Sequence, residues 1–246
     1  MELIIAPAAQ LAILAADRFE AVLRAKPRAV LGLATGSSPL PTYDELARRH
    51  REGGLSFAQA TGFTLDEYVG IDLDHPERYR NVIAREITDR VQWPAGQVSG
   101  PDGSAADLTA AAAAYETAIR DAGGVDLQIL GIGSNGHIAF NEPLSALTSR
   151  TRSVPLTEQT RRDNARFFGG NLDLVPTLCL TQGLGTIMEA REIVLVATGA
   201  GKAEAIAQLV EGPISASWPA TVLQMHPNTT VLVDKAAAAG LTRHRP

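Results

Sequence analysis

Three times in this chain a compact apolar run ends in a loop of small and glycine residues. Ala29 to Ala34 leads into Thr35-Gly36-Ser37-Ser38-Pro39, Val125 to Leu130 into Gly131 to Pro143, and Glu192 to Ala197 into Thr198-Gly199-Ala200-Gly201-Lys202. After the first and the third, a helical pattern follows at once, from near Pro39 and over Ala203 to Val210. Buried strand, tight loop and helix, repeated, predict an α/β fold: a doubly wound, mainly parallel sheet with helices on both faces. In such a sheet the loops at the carboxyl ends of the strands gather along one edge, where ligands bind. Thr35 to Ser38, Asp66, the Gly131 loop and Lys202 are expected to meet there.

The remaining chain fits between these units. Leu3 to Ala6 reads as a short strand, and Ala8 to Leu23 as a helix closed by Lys26-Pro27. Gly62 to Leu65 runs into Asp66 and Glu67, whose side chains, adjacent on a strand, point to opposite sides. A solvated acidic turn is the commoner fate of such a pair. Helices are expected over Asn81 to Val91, over the alanine-rich Asp107 to Asp121 before Gly123-Gly124, over Thr157 to Phe168, and briefly over Leu184 to Glu189. Pro94 to Pro101 reads as a connection, and Thr221 to Met225 and Thr230 to Val233 as two late strands. No shift in composition marks a boundary, so residues 1–246 are expected to form one domain.

Of the 246 residues, 45% are hydrophobic and 20% charged, enough to bury a sizeable core. The net charge of −5 argues against nucleic acid as partner and leaves room for a local basic pocket that takes a small anion. The single cysteine, Cys179, lies in an apolar stretch, which suits a buried thiol better than a nucleophile, a disulfide or a metal site. The N-terminus has no basic, then apolar, signal pattern, and no run approaches the roughly 18 apolar residues of a membrane span. A cytoplasmic protein without membrane contact is expected.

Gly131, Gly133 and Gly136 have the spacing of the dinucleotide fingerprint, but Pro143 follows within seven residues and no acid stands in Ser149 to Pro155. Thr198 to Lys202 is not a triphosphate loop, since Val196 stands where its first glycine belongs and Ala203 where its hydroxyl residue belongs. It can still offer a lysine to a phosphate. Thr35 to Ser38, at a helix mouth, suits an anion or simply caps the helix; both readings stand. His75-Pro76-Glu77 has no partner ligand nearby and reads as a helix start. What remains is His137 five residues before Glu142, a carboxylate able to orient an imidazole, together with Asp66. This set suits proton transfer on a small phosphorylated compound.

Leu31 to Pro39, Leu65-Asp66-Glu67-Tyr68-Val69-Gly70, Gly131 to Pro143, Ser149 to Arg152, Asn164 to Phe168 and Thr198 to Lys202, in that order, resemble the glucosamine-6-phosphate deaminase family. The resemblance covers nearly the whole chain, and Gly136-His137-Ile138-Ala139-Phe140-Asn141-Glu142-Pro143 is its most specific part. It implies a Rossmann-like fold of the sugar-phosphate isomerase type and conversion of an amino-sugar phosphate, without cofactor or metal. His137, held by Glu142, would open the sugar ring, and Asp66 would move a proton between C2 and C1. Thr35, Gly36, Ser37, Ser38, Arg166 and Lys202 would hold the phosphate, with Arg166 on a lid segment around residues 150–180.

Three departures stand out. Asn135 occupies a position where many members carry aspartate in the group that orients the histidine; it can hydrogen-bond but brings no charge. Val154 replaces a lysine of members activated by N-acetylglucosamine 6-phosphate, and those members extend beyond the position of Pro246, so activation is expected to be absent despite Ser145 and Arg152. Hexamers are common among activated members, which leaves monomer or homo-oligomer open. Two rivals remain: a 6-phosphogluconolactonase-like hydrolase, set apart by Asn141-Glu142-Pro143 and Asp66-Glu67-Tyr68, and a sugar-phosphate-sensing regulatory domain, for which no appended DNA-binding module is visible.

Overall fold

The computed structural model describes residues 1–94 and 96–243; Ala95, within the Pro94 to Pro101 connection, and residues 244–246, with the Pro246 terminus, lie outside the described residues. The chain runs β1 (Glu2–Ile5), α1 (Ala8–Ala25), β2 (Val30–Leu33), α2 (Leu40–Gly53), β3 (Thr61–Thr64), β4 (Asp66–Tyr68), α3 (Tyr79–Ile83), β5 (Val98–Ser99), α4 (Leu108–Asp121) and β6 (Leu127–Leu130). It continues through β7 (Arg152–Pro155), α5 (Glu158–Asn164), β8 (Leu178–Thr181), α6 (Leu184–Met188), β9 (Glu192–Ala197), α7 (Ala203–Glu211) and β10 (Thr229–Val233).

Seven strands form one sheet in the order β1-β10-β9-β6-β2-β3-β5, and each neighbouring pair is parallel. Every residue of β2, β6 and β10 is buried, which requires cover on both faces of the sheet. The expected doubly wound α/β arrangement is thus present. From β2 the chain adds strands outward through β3 and β5, then returns to place β6 on the other side of β2. The order therefore reverses between β2 and β6, and the loops leaving these two strands face each other at the carboxyl edge. Gly131, at the end of β6, lies against Ser38: a Cβ added there would stand 3.6 Å from the serine Cβ.

A second, smaller antiparallel sheet, β4-β8-β7, stands beside this edge. It corrects the expected acidic turn. Asp66 and Glu67 belong to β4 and are 6% and 3% exposed, because β8 pairs with them through Thr181 and Leu180. Its own core gathers Tyr68, Phe140, Leu156, Ala165, Phe168, Val175 and Cys179.

Other expectations shift locally. Pro94 to Pro101 contains β5, whose Val98 pairs with Gly62. Thr221 to Met225 is not a strand but part of a buried 3-10 helix, Pro219–Met225. Pro219 lacks an N–H for a ladder, and the Thr221 hydroxyl bonds back to Ser215 and Trp218, so the segment closes on itself. Thr157 to Phe168 begins as α5 and tightens into a 3-10 turn over Ala165–Phe168, stopped by Gly169 in the left-handed region. Among the described residues no helix is long and apolar enough to cross a membrane.

Candidate active site

The loop after β2 is set by Tyr43 of α2, whose hydroxyl donates to Ala34 O at 2.8 Å and accepts from Ala34 N at 3.0 Å. That doubly bonded ring fixes where the strand ends, so Thr35, Gly36, Ser37 and Ser38 lie partly or fully exposed before α2. The Pro39 cap of α2 carries no side-chain hydrogen bond. Of the two readings of these residues, the simple side-chain cap therefore loses its support.

The loop after β6 folds tightly on itself. Gly133 N donates to His137 O at 2.9 Å and Gly136 N to Gly133 O at 3.0 Å. The His137 imidazole lies directly over Gly133, where an added Cβ would come within 2.3 Å of the ring. Ala139, with φ of 50°, sits in the left-handed region that a non-glycine residue rarely adopts, a strain found where a loop must aim side chains. Asn141 holds this shape: its amide donates to Ile138 O and Gln182 O, and its carbonyl accepts from Arg152 at 2.9 Å.

Asn135, His137 and Glu142 form one cluster. Asn135 Nδ2 donates to Glu142 Oε2 at 2.7 Å, while its Oδ1 accepts from His137 N at 3.2 Å. His137 Nδ1 stands 3.6 Å from the same Glu142 oxygen, an ion-pair separation beyond hydrogen-bond length, and that buried nitrogen has no hydrogen-bond partner among the described residues. The other oxygen of Glu142 accepts from Thr157 at 3.3 Å and from Thr160, the first turn of α5. Burial opposes the charge of Glu142, but His137, Thr160 and Asn135 outweigh it and hold the carboxyl down to about 2.

This predicts a pH signature. Because the folded value lies below the ordinary 4.5, ionised Glu142 stabilises the fold fully above that pH, and the contribution is lost as pH falls toward 2. Glu142→Gln is expected to lower stability at pH 6–7 by on the order of 2 kcal/mol, with the gap to the parent closing below pH 3. Urea midpoints across this range measure it; a gap that stays constant in acid would refute the assignment.

Asp66 reaches the loop through β8. It is paired with Thr181, whose hydroxyl accepts from Phe140 N at 3.1 Å, and Gln182 N donates to Leu65 O at 2.8 Å. No hydrogen bond from a described residue reaches the Asp66 carboxyl. Burial first, and the neighbouring Glu67 second, push it well above the ordinary carboxylate range. A buried, unpaired carboxylate at the mouth of a parallel sheet is a strong base once ionised.

The cationic side is built from the 3-10 turn that follows α5 and the turn before α7. Lys202 is half-buried; burial lowers its pKa, Asp163 opposes that, and Arg166 adds to it, which puts the two cations in one electrostatic neighbourhood. Arg166 is exposed, its guanidinium 4.7 Å from the centre of the Phe167 ring, whereas Arg162 is taken up by Glu158. Cys179 is fully buried beneath the site, and burial with the charges of Asp66 and Glu142 raises its thiol well above the usual range. His75 stacks on Phe168 at 5.4 Å. Among the described residues no group of three or more His, Cys, Asp or Glu side chains is placed to hold a metal ion.

Sequence reasoning missed Thr157, Thr160 and Thr181. The two threonines on Glu142 are also the helix cap, since Thr157 Oγ1 accepts from Thr160 N at 3.2 Å, and capping was their only visible signal. Thr181 has no local signal at all.

An α/β fold whose strand order reverses between two small-residue loops, with Asn135, His137 and Glu142 clustered on one of them, is of the sugar-phosphate isomerase type. The chain belongs to the family of glucosamine-6-phosphate isomerases and 6-phosphogluconolactonases, whose model matches residues 6–232. It is 66% identical over 242 residues to a glucosamine-6-phosphate deaminase of Mycolicibacterium smegmatis and 65% identical to one of Beutenbergia cavernae, in each case over 98% of this chain and 93% of the relative. A solved monomeric glucosamine-6-phosphate deaminase superposes with a TM-score of 0.95 at 41% identity, covering 98% of this chain and 100% of that one. A 6-phosphogluconolactonase of Trypanosoma cruzi, at 20% identity and a TM-score of 0.78 over 98% of this chain and 97% of that one, shares the fold.

Proposed function

We propose that this chain is an isomerising deaminase that converts glucosamine 6-phosphate and water to fructose 6-phosphate and ammonia. The observation that carries the reading is the Asn135–Glu142–His137 cluster, joined through Thr181 to the strand of a buried Asp66, on a chain at least 62% identical to several deaminases. His137 takes the proton of the C1 hydroxyl and returns it to the ring oxygen, which opens the sugar to the aldehyde. Glu142 steadies the transient imidazolium, and the 3.6 Å gap is one that closes when a substrate fills the site. Asp66 removes the C2 proton to give an enolamine and delivers it to C1, leaving an iminium at C2. Water adds there, ammonia leaves, and the ketone of fructose 6-phosphate remains.

Thr35, Gly36, Ser37, Ser38, Arg166 and Lys202 hold the 6-phosphate, which positions C1 and C2 against the base. Residues 150–180 act as a lid on the same domain; its closure brings Arg166 over the sugar and excludes water from Asp66. Support for this reading is that α5 is tied directly to the loop and to β4: Thr157 and Thr160 bond Glu142, and Asn164 bonds the Tyr68 hydroxyl at 2.9 Å.

Incubation with glucosamine 6-phosphate is expected to release ammonia and fructose 6-phosphate in equal amounts. No ammonia defeats the reading, and hydrolysis of 6-phosphogluconolactone in its place would move the chain to the other branch of its family.

A further inference from the structure

Glu67 is a buried carboxylate to which the reaction above gives no task. Its side chain is 4% exposed, and it accepts from Tyr68 N and Tyr79 N at 3.0 Å and from Arg80 N at 3.1 Å, with Arg78 Nε at 3.8 Å. Two of these amides open α3, whose own cap position, Arg78, supplies no side-chain hydrogen bond. Capping alone would be met by a serine or asparagine at position 78. Here a residue on another element does it with a full charge.

The charge matters because of what surrounds Asp66. Tyr68 follows on β4, α3 brings Tyr79, α4 brings Tyr115 and β8 brings Cys179; all four feel the Asp66 charge, and burial pushes each toward its neutral form. Arg152 on β7 is turned to Asn141 and Ser145, and on the loop His137 and Glu142 face each other. Glu67 is therefore the acidic neighbour next to the base, fixed one residue along the same strand and on its opposite side. Burial raises its pKa, the three amide donors and Arg78 offset part of that rise by favouring the anion, and the Glu67 charge in turn raises Asp66.

We propose that Glu67 is a positioning residue for Asp66: anchored by the α3 amides, it holds β4 in register and sets a second carboxylate beside the one that takes the C2 proton. The proposal rests on Asp66 as the base, and the test separates the two. The acid limb of kcat/KM for glucosamine 6-phosphate is measured for the parent, Glu67→Gln, Glu67→Asp and Arg78→Gln, with melting curves as a check on folding. In Glu67→Gln the limb is expected to move down by about one pH unit and plateau kcat to fall about tenfold, with KM within about twofold. Glu67→Asp, which retains the charge, returns the limb toward the parent. Arg78→Gln removes the facing cation and moves the limb up, and it carries the test alone if Glu67→Gln does not fold. A limb that stays at the parental pH in Glu67→Gln or, failing that, in Arg78→Gln overturns the proposal and makes Glu67 a tether only. Retained C2 exchange in Asp66→Asn would instead remove the base assignment beneath it.

Discussion

Asp66→Asn is expected to lower kcat by about 10³-fold or more and to abolish exchange of the C2 hydrogen with solvent, while product fructose 6-phosphate binds within about threefold of the parent. The amide keeps the shape of the side chain but cannot accept the proton. A second effect should accompany the first. Asp66 has its folded pKa raised by burial and by Glu67, so its ionisation costs stability at every pH above the ordinary 3.8. The neutral amide removes that cost. The variant should therefore melt at a higher temperature than the parent near pH 7, with the difference fading as pH falls toward the ordinary carboxylate range. Loss of activity joined to a gain in stability marks a group held in place for chemistry at the expense of the fold. A variant that is both inactive and less stable would indicate that Asp66 serves the structure, and persistent C2 exchange would exclude it as the base.

Gly133→Ala should produce the second large effect, through one methyl group. Gly133 is not among the residues with positive φ, so alanine suits the backbone, and the three atoms nearest the added carbon all belong to the imidazole, at 2.3–2.6 Å. The ring must move, and with it the proton path between His137 and the sugar. A displacement of about 1 Å at a catalytic group is enough to cost kcat on the order of 10²-fold. The loops proposed to hold the phosphate lie on other elements, so KM should change little. The effect should also vanish in a His137→Gln background, where no imidazole remains to be displaced. A kcat within twofold of the parent, or full additivity with His137→Gln, would show that the ring is not used where it stands.

Much of this arrangement is legible before any coordinates. β2, β6, β9 and β10 are almost wholly buried, so their sequences are nearly unbroken apolar runs that periodicity finds easily. The small sheet offers no such signal. β7 is Arg152-Ser153-Val154-Pro155, half in and half out, and β4 is an acidic pair and a tyrosine. Only their pairing with β8 makes them strands, and that pairing joins segments more than twenty residues apart. Pro219–Met225 failed in the opposite way: its apolar content is real, but it packs as a 3-10 turn because β6 and β10 already flank β9.

The site divides along the same line. His137 and Glu142 share a loop and are grouped by their spacing; Asn135, and the roles given to all three and to Asp66, came from the family resemblance. Thr160 bonds Glu142 from eighteen residues away, and Glu67 from β4 caps α3 twelve residues on. Interactions of that kind depend on how elements dock, which neither composition nor periodicity carries.

The order of strands also bears on how the chain is made. β1 has one neighbour in the sheet, β10, and Glu2 through Ile5 align with Thr230 through Val233. During synthesis β1 thus finds this partner only after β10 has emerged. Until then the edge of β9 that β10 will occupy is open, and its apolar face lacks a neighbour. Joining ends so far apart carries a loop-closure cost that the local strand–helix units avoid. The central strands can pair as they appear, whereas the β9-β10-β1 flank waits for β10, and in that interval the open edge is exposed to aggregation and to chaperones.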